Sequence, residues 1–408
     1  MHWLVSLLLV VSSIHLLAQP AGDWNQWRGP GRDGIAASFT APAAWPDQPT
    51  QVWKVNAGVG HSSPVVSGSR VYLFSRIGEQ EVMTAYEAAT GRQVWRDAYD
   101  TPYRMSPAAT GHGKGPKSTP VVSGGRIFAL GISGILSAYD AVSGKVLWRR
   151  DFSSQFRSTS PEFGASMSPI VDGESVIAHV GGDGSGAIAG FAVANGAERW
   201  AWKGDGPAYA SPVIATFGGV RHLITQTQSH IVGISPADGR ELWRTRFTTD
   251  YDQNIVTPAI AGGMLIYSGL AKATTAVRVV QEGGAWKLQQ VWQNADLPMY
   301  MSSPVAVGGV LYGLTHRNRG QFFGLDVETG KTLWTSQPRQ GENAALSAAG
   351  DLLIATTTDA RLVVMRQGRT HQVLREYAHG WSPIWAHHVL HGRGILIKDT
   401  ETLSYWTF

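Results

Sequence analysis

The chain has no cysteine in its 408 residues, and it carries few charges. Without cysteine there is neither a disulfide nor a cysteine-linked lipid anchor. Charged residues make up 16% of the chain, the formal net charge is +4, and no run of lysine and arginine occurs. We therefore expect no nucleic-acid partner, because such binding needs a concentrated positive surface. No Gly-x-Ser-x-Gly elbow followed by a helix is present, so serine hydrolase chemistry has no support.

The most apolar stretch, residues 4–17, is too short for a membrane-spanning helix, which needs about 20 residues. The sequence Ala18-Gln-Pro-Ala21 follows it. This pattern predicts a secretory signal peptide over residues 1–18, cleaved after Ala18 or Ala21. The mature chain is then expected in the periplasm or outside the cell, without a transmembrane segment. The alternative is that residues 4–17 form a buried first strand.

One pattern recurs five times along the chain: a small residue, a glycine six positions later and a tryptophan four positions after that. The copies are Ala85/Gly91/Trp95, Ala138/Gly144/Trp148, Gly190/Gly196/Trp200, Gly233/Gly239/Trp243 and Gly324/Gly330/Trp334. A regular internal repeat predicts an architecture in which each unit buries its apolar face against its neighbours.

A second repeat runs in step with the first and consists of Ser or Thr followed by Pro. The copies are Ser63-Pro64, Thr119-Pro120, Ser168-Pro169, Ser211-Pro212, Thr257-Pro258, Ser303-Pro304 and Ser382-Pro383. Together the two patterns define a unit of roughly 40 to 50 residues, the length of a β-propeller blade. The last two prolines lie two units apart, so one copy has lost its proline, near Ala344.

Each unit reads as four short strands separated by turns rich in Gly, Asp and Ser. Seven units are complete, and an eighth, starting at Ser382, has room for only three strands, predicted over residues 384–390, 394–398 and 402–407. Residues 51–55, which contain Trp53, resemble the other fourth strands and precede the first unit. In the fifth unit Trp292 keeps the fourth-strand position beside a longer hairpin. The sequence therefore predicts an all-β, eight-bladed propeller over residues 50–408, closed by its N-terminal strand.

Residues 22–49 precede the propeller and form a predicted N-terminal arm. The arm carries Trp24 and Trp27 within the sequence Asp23-Trp-Asn-Gln-Trp-Arg-Gly-Pro. We expect it to pack its two indoles on the propeller. The alternative is that it acts as a lid or as a contact for a partner.

The repeat resembles the pyrroloquinoline-quinone-type propeller repeat, whose consensus is Ala-x-Asp-x-x-Thr-Gly-x-x-x-Trp. The best-fitting copies are Ala138/Asp140/Gly144/Trp148 and Gly324/Asp326/Thr329/Gly330/Trp334. The resemblance covers about residues 50–408 and implies eight blades. It implies two different activities. Quinoprotein dehydrogenases of this superfamily bind the quinone and calcium on the propeller axis, whereas BamB-type assembly factors bind no cofactor and scaffold outer-membrane protein insertion.

The chain departs from both groups. Quinoprotein alcohol dehydrogenases usually carry an adjacent cysteine pair and are longer, and BamB-type factors are lipoproteins that need a cysteine. No calcium-ligand motif is recognisable. The function predicted is therefore an exported scaffold that binds a protein partner or a small polar ligand at its funnel. The alternative is an oxidoreductase that acts on alcohols or sugars with pyrroloquinoline quinone and calcium as cofactors.

Residues just before each Ser/Thr-Pro pair should rim one mouth of the central channel, because the innermost strands line that channel. This set mixes basic, amide and aromatic side chains, as a polar ligand or cofactor site would. A rim in contact with water is polar in any case, which is the competing explanation. The candidates are His61, Lys117, Met167, Tyr209, Asn254, Tyr300, Asn343 and Trp381.

Three further groups are weaker candidates. The loop over residues 100–116 holds Lys114 and other basic side chains that suit an anion. Asp250, Asp252, Glu342 and Asn343 offer oxygen ligands for calcium. The histidines His387, His388 and His391 suggest a metal cluster, although the first and last lie far apart along a strand.

Overall fold

The structure, a computed structural model, describes residues 22–408, so the predicted signal peptide lies outside the described residues. It is all-β, with eight four-stranded antiparallel sheets arranged as the blades of a propeller. Three short 3₁₀ helices, Pro107–His112, Asp250–Asp252 and Arg317–Arg319, lie in loops. No helix within residues 22–408 is long and apolar enough to cross a membrane. The predicted fold class is confirmed.

The first four blades follow one another along the chain, each built from its innermost strand outwards. Their strands are β2 Val65–Ser67, β3 Arg70–Ile77, β4 Gln80–Glu87 and β5 Gln93–Asp100; β6 Val121–Ser123, β7 Arg126–Leu130, β8 Leu136–Asp140 and β9 Val146–Arg150; β10 Ile170–Asp172, β11 Ser175–Gly182, β12 Ser185–Ala192 and β13 Glu198–Trp202; β14 Val213–Phe217, β15 Val220–Gln226, β16 His230–Ile234 and β17 Glu241–Arg246.

The last four blades repeat this order, except that strand β1 is the outermost strand of blade 8. Their strands are β18 Ala259–Ala261, β19 Met264–Gly269, β20 Lys272–Glu282 and β21 Ala285–Asn294; β22 Val305–Val307, β23 Val310–Thr315, β24 Gln321–Asp326 and β25 Thr332–Thr335; β26 Ala344–Ala349, β27 Leu352–Thr357, β28 Leu362–Arg366 and β29 Val373–Tyr377; β30 Val389–His391, β31 Gly394–Lys398, β32 Thr402–Thr407 and β1 Thr50–Asn56.

Strand β1 closes the ring as predicted. It pairs antiparallel with β32, from Thr50 opposite Thr407 to Asn56 opposite Thr402. The Trp53 indole N–H also donates to the Ala88 carbonyl of blade 1 at 2.9 Å. The first strand of blade 8 is shorter than the sequence suggested, since residues 384–388 form a loop and only Val389–His391 are extended.

The tryptophan repeat joins neighbouring blades. The Trp95 indole of blade 1 covers Gly144 of blade 2, where a Cβ would lie 2.5 Å from the ring. Gly144 also has a φ of +76°, so the position requires glycine for two reasons. The small residue of each repeat lies opposite the tryptophan in the same blade, as Ala138 lies opposite Trp148. Each indole thus lies between its own blade and the next.

The Ser/Thr-Pro repeat forms a ring of hydrogen bonds around the channel. The backbone N–H of Ser63 donates to the Thr119 hydroxyl at 3.1 Å, and Thr119 donates to Ser168 at 3.0 Å. Ser168 donates in turn to Ser211 at 2.9 Å. In blade 8 the N–H of His387 donates to the Ser63 hydroxyl at 2.8 Å. These contacts link the innermost strands, each of which, within residues 22–408, is an edge strand of its blade and has no sheet partner on the channel side.

The propeller has two different faces. The long connections from one blade to the next, such as residues 101–120 and 247–258, lie on what we call the funnel face. The opposite back face carries the short turns, for example the one around Val142 between β8 and β9. This assignment follows from the antiparallel strand order within each blade.

The arm enters from the back face and fills the channel. We call residues 24–36 the axial plug. Backbone groups of Trp24 and Val66 exchange two hydrogen bonds at 2.9 Å in blade 1, and Ala36 donates to the Ala348 carbonyl at 2.8 Å in blade 7. Between these two segments the side chains of the plug form hydrogen bonds to all of blades 2 to 6. The arm thus packs Trp24 on the propeller as expected, but it lies inside the ring and closes it from the back.

Candidate functional site

A cavity of about 150 Å³ lies on the axis, between the axial plug and the funnel mouth; we call it the axial cavity. Its floor includes Trp27 of the plug, and its walls come from the loops that precede the innermost strands. The remaining lining residues are His61, His112, Lys117, Phe163, Ser166, Tyr209, Ser211, Gln253, Ile255, Met301, Ser303 and Trp385. The cavity is therefore mostly aromatic and apolar, with a few polar groups, as small-molecule sites generally are.

Lys117 provides the positive charge in this lining at neutral pH. Its ammonium donates to the Phe163 carbonyl, and burial lowers the pKa of Lys117 to about 8. The ring of His61 shares a 2.8 Å hydrogen bond with the His112 carbonyl, and burial lowers the pKa of His61 to about 3. Burial lowers the pKa of His112 as well. At neutral pH the two rings are therefore neutral and Lys117 is mostly protonated.

Two buried guanidinium groups lie beneath the cavity floor. Arg32 donates to the Pro212, Pro169 and Ser168 carbonyls at 2.7 to 3.0 Å, and Arg28 donates to the Pro304 carbonyl. Within residues 22–408 neither arginine forms an ion pair. Desolvation lowers the pKa of Arg28 to about 10 and that of Arg32 to about 9. At neutral pH both remain positive, and the nearby Asp33 carboxylate, which raises the pKa of Arg28, offsets part of this charge.

A wider depression of about 1000 Å³, the outer basin, adjoins the axial cavity and shares Trp385 with it. Its lining is more polar, contains both cations and carboxylates, and includes Tyr300, Asn343, Arg319, Arg339, Glu342 and Asp359. The Tyr300 hydroxyl donates to the Gln253 side-chain carbonyl, which joins the two cavities at their border.

The predicted rim residues divide into three groups. His61, Lys117 and Tyr209 meet in the axial cavity, whereas Tyr300 and Asn343 line the outer basin. Met167, Asn254 and Trp381 lie outside both cavities, because they are buried in packing positions.

Asn254 and Trp381 show why sequence position alone misplaces a side chain. The Asn254 amide donates to the carbonyls of Thr227 and Phe247 at 2.7 and 2.9 Å, so it fastens a loop. Trp381 packs edge-on against Trp406, with ring centroids 5.4 Å apart, in the core between blades. Cofactor binding by the five cavity-lining residues stays a prediction.

The sequence analysis missed the residues that shape the cavity most. Trp27 lies in the arm, outside the repeat, so no repeat position pointed to it. Trp385 follows Ser382-Pro383 by two residues and belongs to the loop that had been read as a strand. His112 ends the 3₁₀ helix Pro107–His112 in the rim loop. That basic loop had been identified, but not its contact with His61.

The residues present do not fit a quinone with calcium. The axial cavity has no carboxylate in its lining, whereas calcium binds through oxygen ligands that usually include carboxylates. Within residues 22–408 no three His, Asp or Glu side chains are grouped to hold a metal. A cavity of about 150 Å³ holds one benzene-sized ring. Pyrroloquinoline quinone has three fused rings and three carboxylates, and it therefore exceeds this space and its single lysine.

The histidine trio is not a metal site either. The rings of His387 and His388 lie 6.5 Å apart, and His388 shares a 3.0 Å hydrogen bond with the Thr356 hydroxyl. His391 instead shares a 3.4 Å hydrogen bond with the Gly22 carbonyl. The three side chains thus serve separate packing contacts.

The sequence model of one family, described as outer membrane protein assembly factor BamB, matches residues 43–112, 79–336 and 289–388. These segments together span residues 43–388, which include blades 1 to 7 and the closing strand β1 and end just before β30. The chain belongs to this BamB family. The predicted resemblance to pyrroloquinoline-quinone-type and BamB-type propellers is confirmed. A relative in the family, an outer membrane protein assembly factor BamB from Shewanella oneidensis, is 26% identical over 252 residues. That alignment covers 56% of this chain and 59% of the relative, so the match spans little more than half of either protein.

Solved structures agree on the fold. BamB from Moraxella catarrhalis superposes with a TM-score of 0.63 at 14% identity, covering 88% of this chain and 98% of that one. The quinohemoprotein alcohol dehydrogenase from Comamonas testosteroni reaches a TM-score of 0.68, also at 14% identity, over 95% of this chain and 80% of that one. At these identities the similarity shows a shared propeller and does not distinguish a scaffold from an enzyme.

Proposed function

We propose that this chain is an exported scaffold for outer-membrane protein assembly, which binds a protein partner on its funnel face. The observation that carries the proposal is the match of the BamB family model over residues 43–388, which include seven of the eight blades. On this proposal the mature chain works in the periplasm, beside the inner surface of the outer membrane.

The funnel face has the features of a protein-binding surface. Tyr251 on the loop between blades 4 and 5 is 76% exposed, and Ile77 at the turn after β3 is 43% exposed. Arg319 and Arg339 are exposed in the outer basin, and neither forms an ion pair with residues 22–408. Exposed aromatic and arginine side chains are the types enriched at protein interfaces. The back face consists mainly of short turns and the arm.

The quinone-dependent oxidoreductase that the resemblance also implies has weaker support. Its cofactor requires carboxylate ligands for calcium and room for three fused rings, and the axial cavity provides neither. Adding pyrroloquinoline quinone and calcium should leave the melting temperature unchanged. A ligand at 100 times its dissociation constant would add about 2.7 kcal/mol of stability, so even modest binding would be detected.

The function is tested by deleting the gene in the source bacterium and measuring the amounts of outer-membrane proteins. We expect them to fall and wild-type protein to restore them. A funnel-face variant carrying Tyr251→Glu, Arg319→Glu and Arg339→Glu should fail to restore them although it folds and is exported. A back-face variant carrying Val142→Glu, Arg240→Glu and Arg393→Glu has the same charge change and should restore them fully. Normal outer-membrane protein levels in the deletion strain would refute the proposal.

A further inference from the structure

The axial cavity is shaped for one aromatic ring. Its volume of about 150 Å³ matches a cavity that accommodates benzene. The rings of Phe163 and Tyr209 meet edge-to-face, with centroids 5.8 Å apart and an interplanar angle of 75°. Trp385 makes similar edge contacts with His61 and His112, at 5.5 and 5.1 Å. These contacts fix the walls before any ligand enters, so little ordering is required on binding.

The polar groups in the lining are donors. The Lys117 ammonium uses one N–H on the Phe163 carbonyl, and two remain. The hydroxyls of Ser211 and Ser303 accept from backbone N–H groups at 2.9 and 3.0 Å. Each hydroxyl therefore keeps its own hydrogen available for donation into the cavity. No carboxylate in the lining competes for these donors.

The surrounding charge favours an anion. Lys117 is the cation of the lining, and Arg28 and Arg32 lie just below Trp27. Within residues 22–408 neither arginine forms an ion pair, although the nearby Asp33 carboxylate raises the pKa of Arg28. A narrow funnel with low-dielectric walls concentrates this positive potential at its base. A monoanion placed there is attracted by this potential.

We propose that the axial cavity binds a small monocyclic aromatic carboxylate, with its ring on Trp27 and its carboxylate facing Lys117. This small-molecule site goes beyond the scaffold function, which uses the outer surface of the funnel face. The donors and the charge select against cations and neutral rings. The volume selects against ligands with fused rings.

Benzoate is the direct probe, and benzamide is the neutral control of nearly the same size. Calorimetric titration of the full-length mature protein should show one benzoate site and at least about tenfold weaker binding of benzamide, a difference of about 1.4 kcal/mol. Lys117→Met removes the charge but keeps the aliphatic stem, and it should weaken benzoate at least tenfold. Lys145→Met, at a back-face turn, should bind benzoate as the wild type does.

A second variant keeps the test informative if Lys117→Met does not fold. Trp385→Ala widens the cavity mouth and should also weaken benzoate, while the melting temperatures of both variants show whether the fold is intact. The proposal is overturned if benzoate at 10 mM does not bind the wild type, if benzamide binds equally well, or if folded Lys117→Met retains wild-type affinity. The site is independent of the scaffold function, because the deletion test on outer-membrane proteins does not depend on benzoate binding.

Discussion

The indole N–H of Trp27 donates a hydrogen bond to the hydroxyl of Thr257 at 3.1 Å, across 230 residues of chain. Trp27 belongs to the arm, and Thr257 lies two residues before β18, the innermost strand of blade 5. The floor of the axial cavity is thus built by a residue that lies outside the propeller repeat. The arm is part of the folded ring rather than a detachable lid.

The plug should contribute strongly to stability. Trp24 is 2% exposed, so Trp24→Ala should cost about 3–5 kcal/mol, as for other large buried aromatics. Trp27 is only partly buried, and Trp27→Ala should cost less, about 2 kcal/mol. Urea denaturation measures both values. A Trp24→Ala protein with wild-type stability would mean that the arm does not occupy the channel.

A second prediction concerns closure of the ring by strand β1, and a neighbouring exposed position in the same strand serves as the control. Trp53→Ala removes the indole that packs on Gly91 and bonds to the Ala88 carbonyl, so we expect a loss of about 3–5 kcal/mol. Val52→Ala changes a neighbouring side chain that is 45% exposed, and it should cost no more than about 0.5 kcal/mol. Equal melting temperatures for the two variants would contradict closure through this strand.

Substitution of two serines tests how much the hydroxyl hydrogen bonds around the channel contribute to stability. Ser168 accepts from the Thr119 N–H, so Ser168→Ala leaves a buried donor without a partner and should cost about 1–3 kcal/mol. The Ser118 hydroxyl is buried without a hydrogen-bond partner, so Ser118→Ala should be neutral or stabilising. Thermal unfolding measures the stability of both variants. A larger loss of stability for Ser118→Ala than for Ser168→Ala would show that these hydroxyl contacts have no energetic role.

The fold was predictable because its determinants are local and repeated. The small residue, glycine and tryptophan of each repeat fix a cross-strand pair and the contact with the next blade, as with Ala138, Trp148 and Gly196. The closing strand was predictable because it carries Trp53 at the same position as the other fourth strands. One copy without a proline still forms a strand, Ala344–Ala349, since the Ser302 hydroxyl accepts its first N–H.

The site was only partly predictable, because it depends on contacts between distant segments. The rule that residues just before a Ser/Thr-Pro pair lie at the mouth of the channel correctly placed His61, Lys117 and Tyr209 at the cavity. The same rule failed for Asn254, whose amide is satisfied by loop carbonyls, and no local signal revealed that Trp27 would reach the cavity from the back face.

Buried histidines should make the protein sensitive to acid. Burial lowers the pKa of His388 to about 3 from its usual value near 6.5. As the pH falls below 6.5, the His388 imidazole takes up a proton in the unfolded chain but stays neutral in the folded protein. The free energy of unfolding therefore decreases. One such ring contributes at most about 1.4 kcal/mol per pH unit.

His388→Gln should therefore lose stability less steeply than the wild type between pH 6.5 and 4, as measured by urea denaturation at several pH values. Identical slopes for His388→Gln and the wild type would contradict the assignment of this ring as a buried neutral group.

The central claim, that the funnel face holds a protein partner, is tested most directly by photocrosslinking in the source bacterium. A photoreactive amino acid replaces Tyr251 on the funnel face or Val142 on the back face; these side chains are 76% and 81% exposed. We predict a covalent adduct with a component of the outer-membrane assembly machinery from position 251 and none from position 142. An adduct from position 142 alone, equal adducts from both, or none from position 251 would contradict the account.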